Sequence, residues 1–310
     1  MQAMKCFLAA VVLFAVACGG SSVPSTPVLR DGEGLLELPL VSTTAAGRSY
    51  KLVGATFTLT GPQSTTITDT TADTVSVPLI AGDYTLQLTG TWHIERTDQP
   101  GVTVPSTLVS PNPLVFTLGE GETRPVRFLF KVPGDGNADV GFRVDHGGWV
   151  SGTLHFFDRT PSPNGPPDIF AELSGKTVPF VISFESSTVT RSSDSYSNQV
   201  VVQTSPVTLQ FGGAPTQVLQ KRIIPALEGQ PLNIVLGTSA PGQSYAQPIV
   251  LENPASGTTL RLDLYLYDLG VGPDGYPQLE PFSFSDGHAE ISTYWGSIPA
   301  NISDGVVAPQ

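Results

Sequence analysis

The chain has 310 residues, a length for about two domains, and only 14 % of them are charged, against about 25 % in ordinary globular proteins. Fifteen Lys and Arg face 27 Asp and Glu, a formal net charge of −12. That balance argues against a nucleic-acid partner and against electrostatic attachment to anionic lipid, since both need clustered basic side chains.

At the start of the chain, Lys5 is followed by twelve residues without a charge, Cys6 to Ala17, and then by Cys18-Gly19-Gly20-Ser21-Ser22. A short positive region, an apolar run and small residues before a cut are the parts of a secretory signal. The run falls short of the roughly 20 apolar residues that a mature transmembrane helix needs. Ala15-Val16-Ala17-Cys18 resembles the lipobox of bacterial lipoproteins, with Ala15 where Leu is commonest. The resemblance implies removal of residues 1–17, a lipid-carrying thiol at Cys18 and an anchor of several acyl chains such as palmitate. At roughly 0.8 kcal/mol per buried CH₂, more than one chain makes membrane attachment long-lived. Gly19 rather than Asp after the cysteine implies, by the same resemblance, the outer membrane. Cys6, Met1 and Met4 all lie in the leader, so the mature chain holds one thiol and forms no internal disulfide. Without Lys5 it carries 14 basic against 27 acidic residues, a net −13. Residues 18–33, rich in Gly, Ser and Pro, are expected to be a flexible tether.

From about 34 to 132 the apolar residues recur with period two, as in half-buried strands. Phe57 and Leu59 alternate with threonines; so do Tyr84, Leu86 and Leu88 with Thr85, Gln87 and Thr89. Val126, Phe128, Phe130 and Val132 are assigned to a core face, leaving Arg127, Leu129 and Lys131 for water. Gly54 to Pro62 followed by Val77-Pro78-Leu79-Ile80-Ala81-Gly82-Asp83-Tyr84-Thr85-Leu86 resembles carboxypeptidase-regulatory-like or prealbumin-like sandwich modules. Ile80 stands where their turn has proline. The resemblance implies a seven-stranded Greek-key spacer or adhesive module without chemistry of its own.

Pro133-Gly134-Asp135-Gly136-Asn137 reads as a domain boundary. Beyond it a hairpin is expected, with Val144, Phe142 and Val140 paired in that order to Val150, Gly152 and Leu154, which sets His155 across from Asp139. Further strands are expected near 177–185, 199–203, 207–211, 231–236, 259–267 and 288–294, and one or two helical turns over Val218 to Ile224. Glycine and proline, 32 and 28 of them, punctuate these runs. The fold class read from this pattern is all-β: a β-sandwich over 34–132 and a second sandwich or jelly-roll-like domain over 133–310.

Motifs for catalysis do not hold together. Gly270-Val271-Gly272-Pro273-Asp274-Gly275 fits the dinucleotide spacing, but Pro273, Pro277 and Pro281 forbid the helix whose amides would meet a pyrophosphate. Gly175-Lys176-Thr177 lacks the first glycine of a phosphate loop, because Phe170 occupies its place; it reads as a turn. Asp135, Asn137 and Asp139 have the alternate spacing of a calcium loop, with Val140 and His146 where glycine and a bidentate Glu belong. His93, His146, His155 and His288 show no paired spacing, and no nucleophile elbow is complete. No catalytic residue, metal or cofactor is assigned. Tyr265 and Tyr267, on one face with Asp263, are the aromatic pair a sugar could stack on; the plainer reading is that they cover a neighbouring sheet. Trp92, Trp149 and Trp295 are expected to do the same. The function these residues suggest is a non-enzymatic, lipid-anchored envelope protein acting in adhesion, matrix contact or scaffolding. The alternatives are a glycan-binding or carbohydrate-active protein using the loops of 133–310, and an accessory subunit of an export or motility complex.

Overall fold

A computed structural model of the protein describes residues 27–43, 48–132, 138–139, 147–160, 167–194, 197–240, 243–266 and 269–309. The fold is all-β, with one short helical segment, a large curled sheet and several smaller sheets.

Over residues 33–132 the alternation produces several small sheets around one core. Glu33–Pro39 runs antiparallel to Thr74–Ile80 and parallel to Thr123–Pro125. Gly82–Thr89 lies between Thr56–Thr60 and Leu114–Leu118, and Ser49–Val53 between Val41–Thr43 and His93–Arg96. The apolar set of each strand points inward: Leu36, Leu38, Tyr50, Phe57, Leu59, Leu86 and Leu88 are all buried. Tyr84 is buried too, stacked on Phe116 at 5.5 Å, and its hydroxyl donates to the Ile80 carbonyl at 2.7 Å. That hydrogen bond satisfies the phenol and staples the turn to the strand it enters.

Among the described residues the rest of the chain builds a twelve-stranded sheet. Its path runs Ser187–Ser193, Asn198–Thr204, Asn233–Ala240, Ile249–Asn253, Thr258–Leu264, Gly287–Thr293, Gly296–Ala308, Gly148–Phe156, Thr177–Phe184 and Val207–Phe211. The strands expected near 177–185, 199–203, 207–211, 231–236, 259–267 and 288–294 are here, the fifth ending at Leu264. Alternate residues along each one (Leu260 and Leu262, Ala289 and Ile291, Ile298 and Ile302) enter a single core. The sheet curls around Leu219, Ile223 and Leu227 of the helical segment. There a wide π-type turn, Leu219–Ile223, runs into one α-helical turn, Ile224–Leu227. Pro225 falls in this last turn, directly after the wide one.

Two expectations are corrected. Leu129, assigned to water, is buried against Trp149, Val181 and Ala308. The alternation was sound, but the second face of this segment packs on the outer face of the large sheet. Hydrogen bonds fix that junction: the Leu129 N–H donates to Ser110 Oγ at 2.7 Å, Ser110 Oγ donates to Gln210 Oε1 at 2.8 Å, and Gln210 Nε2 donates to the Arg127 carbonyl at 2.9 Å. The second correction concerns His155, which stands between Thr177 and Asn301 rather than across from Asp139. Both edges of Gly148–Phe156 are occupied, Val150 by Ile182 and Val307, so the strand has no edge left for residues 140–144. Asp139 instead pairs with Lys131; Val140, Phe142 and Val144 lie outside the described residues.

Leu129→Ala distinguishes a buried leucine from an exposed one. It should lower unfolding free energy by about 2–4 kcal/mol, where an exposed site would change it by no more than about 0.5 kcal/mol. In urea denaturation its effect should be less than additive with that of Trp149→Ala, because the two side chains share one contact.

Candidate functional site

The residues the sequence singles out are not brought together. Cys18, Asp135, Asn137 and Tyr267 lie outside the described residues, and of Asp139 only the strand pairing is described. Tyr265 is half exposed. Asp263 is engaged by Arg261, which donates to both its oxygens, Nε to Oδ2 and Nη2 to Oδ1, each at 2.9 Å. The same carboxylate hydrogen bond raises the Arg261 pKa above its ordinary value. Across the sheet Arg261 faces Glu290 and Asp263 faces His288.

The nearest approach to a catalytic arrangement is a row on the same face. His155 Nε2 is 3.0 Å from Ser303 Oγ, His155 Nδ1 is 3.1 Å from Thr177 Oγ1, and Ser303 Oγ is 3.0 Å from Asp304 Oδ2. An acyl-transfer triad needs its carboxylate on the imidazole, where it fixes the tautomer and steadies the imidazolium. Here the carboxylate sits on the serine instead and competes with the imidazole for the hydroxyl proton. The row marks a β-bulge: the pairing shifts register between Ser151 and Thr153, and Asp304 takes the left-handed φ of 51° that the extra residue requires. Among the described residues no three His, Cys, Asp or Glu side chains converge on one point.

Gly270 to Gly275 forms a loop, as the prolines require. Its Gly275 carbonyl accepts from Asn198 Nδ2 at 2.9 Å and Thr238 Oγ1 at 3.3 Å. Arg191 pairs with Asp274 at 3.1 Å and lies over the Tyr276 ring at 5.4 Å. These residues line an open groove, but the guanidinium already covers the ring that a ligand would stack on. Gly175, at a φ of 66°, makes the turn into Thr177–Phe184.

A cavity of about 240 Å³ lies where the two cores meet, with Leu114, Phe116 and Leu209 among its apolar walls and Arg124, Gln210 and Glu228 among its polar ones. Burial of its carboxyl raises the Glu228 pKa, opposed by the Arg124 charge and a hydrogen bond from the Leu209 backbone. Much of Glu228 still meets solvent, which screens the effect. A carboxyl with a raised folded pKa binds protons more readily in the native state, so its contribution to stability is greatest below its ordinary pKa of 4.5 and is lost as pH rises through the folded value. Glu228→Gln should therefore flatten the decline of melting temperature on the acid side of neutrality, by a small amount, in a pH series of thermal melts.

The feature the sequence reading missed is a hairpin tip. Gly287–Thr293 and Gly296–Ala308 are joined by two residues, Tyr294 and Trp295. Trp295, expected to cover a neighbouring sheet, is 77 % exposed, and Tyr294 is 74 % exposed. Trp149 is buried and Trp92 packs edge-on against Phe130 at 5.1 Å, so the correction concerns Trp295 alone. Tyr294 is nonetheless held: its hydroxyl donates to the Pro254 carbonyl at 3.3 Å, and its ring lies on Gly257 so closely that a Cβ there would collide with it. The Trp295 N–H donates to Thr293 Oγ1 at 3.1 Å, and that hydroxyl reaches the Gly296 carbonyl at 3.3 Å. The tip and the adjoining turn, residues 253–259 and 291–297, contain no ionisable side chain other than the tyrosine itself. Period-two runs on both sides of Tyr294-Trp295-Gly296 were the available signal for a hairpin; read alone, the strand at 288–294 hid it.

Comparison with protein-family models, with curated proteins and with solved structures gave no significant match.

Proposed function

We propose that the protein is a lipid-anchored component of a bacterial cell envelope, held at the outer membrane through Cys18, with a non-enzymatic adhesive or matrix-contact role. The anchor rests on Ala15-Val16-Ala17-Cys18. The adhesive role rests on one observation, the open Tyr294–Trp295 pair, because large aromatic side chains left in water in a soluble domain mark contact sites. Position supports it. Ala308, beside Leu129 at the junction, and Gly296, at the tip, end the same thirteen-residue strand. At about 3.3 Å per residue that separates them by roughly 40 Å along the strand. Residues 34–132, adjacent to the tether in sequence, would act as the spacer their resemblance implies, with the aromatic tip turned away from it. The enzymatic alternative draws less support, since Arg261 occupies Asp263, Arg191 covers Tyr276, and Asp304 takes the serine rather than the imidazole.

Metabolic labelling with palmitate tests the anchor. Wild type should incorporate label and sediment with membranes, while Cys18→Ala should incorporate none; equal labelling of the two would overturn the proposal.

A further inference from the structure

We infer that Tyr294 and Trp295 form a stacking platform for an uncharged saccharide chain. This inference rests on the adhesive reading and names what is adhered to. It does not depend on the anchor.

A pyranose presents a patch of C–H bonds on one face and hydroxyls around its rim. It is recognised by an open aromatic ring of fixed orientation with hydrogen-bonding groups beside it. Tyr294 has that form: one face lies on Gly257, the hydroxyl is fixed to Pro254, and the rest is open. Gly257 has a φ of 60° and no side chain, which is what lets the ring lie flat on the turn. A ring already held loses little freedom on binding. Trp295 adds the larger ring at the next position of the turn, Thr293 and Ser297 bring hydroxyls near the pair in sequence, and Ser256 precedes the Gly257 on which the Tyr294 ring lies.

Charge decides among occupants. Aromatic residues that enter a membrane interface are accompanied by Lys and Arg that meet the headgroups, and neither the tip nor its neighbouring turn carries one. A chain of net charge −12 is repelled by anionic lipid and by acidic polysaccharide alike. A stable protein partner needs about 800 Å² from each side, and two rings of about 150–250 Å² each fall well short of that even if wholly covered. A neutral sugar polymer needs only the rings, and many copies of the protein on one surface would multiply a weak contact.

The test is native affinity electrophoresis of the full-length protein in gels containing hydroxyethyl cellulose, glycol chitin or galactomannan. Wild type should be retarded by at least one polymer. Trp295→Ala should weaken that retardation about tenfold with an unchanged melting temperature. Gly257→Ala, which displaces the Tyr294 ring and leaves both aromatic side chains present, should weaken it as well. Tyr265→Ala, which alters an exposed tyrosine elsewhere, should not. No retardation of wild type by any polymer, or equal retardation of Trp295→Ala, overturns the inference. So does a Trp295-dependent blue shift of fluorescence on phosphatidylcholine vesicles before polymer is added, which would place the tip in lipid. Palmitate labelling of Cys18 together with a failed gel would leave the anchor standing and remove only the saccharide.

Discussion

The strand Gly296–Ala308 carries the architecture. It pairs with Gly287–Thr293 along one edge and Gly148–Phe156 along the other, and Phe282–Phe284 joins it near its end. A strand flanked on both sides satisfies its backbone groups without water, so its inward residues can enter a dry core. Ile298, Ala300, Ile302 and Val307 do so with at most 1 % of their surface exposed. This strand closes the topology, because it lies beside Gly148–Phe156, the first long strand of the large sheet. Contacts so distant in sequence are slow to form and gain nothing until the loop between them has closed.

The same strand runs from the junction at Ala308 to the hairpin turn at Gly296. At Ala308 the outer face of the large sheet is covered by Leu129 and its neighbours, and the covering is apolar. At Gly296 the strand emerges into a turn of two aromatic residues with nothing over them. Between these ends the outer face carries Arg261, which holds Asp263 along one strand, with Glu290 and His288 opposite them on the next.

Much of the fold was legible in the sequence, because a strand with one dry face writes its burial pattern as alternation. Leu260 and Leu262, Tyr84 and Leu86, Phe57 and Leu59 all lie on the faces their spacing assigned. The helical turns near Ile224 were legible as well, through the loss of that alternation. What failed was any inference about what lies on the other side of a strand. Leu129 alternates as a surface residue should, yet it is buried, because another sheet covers its face. His155 was matched to Asp139 through a hairpin that had no free edge to form on. Trp295 was read as cover for a neighbour and turned out to occupy a turn, where a side chain has no neighbour to cover.

By itself the sequence determined the all-β class, the inward face of most strands and the absence of any complete catalytic motif, because these depend on short-range spacing and on residue type. Only the tertiary structure decided which strands are neighbours, which second faces are covered and which aromatic residues stay in water. Those depend on pairings across up to 159 positions, as between Trp149 and Ala308, and period-two patterning is the same for every register and partner that keeps the apolar face inward.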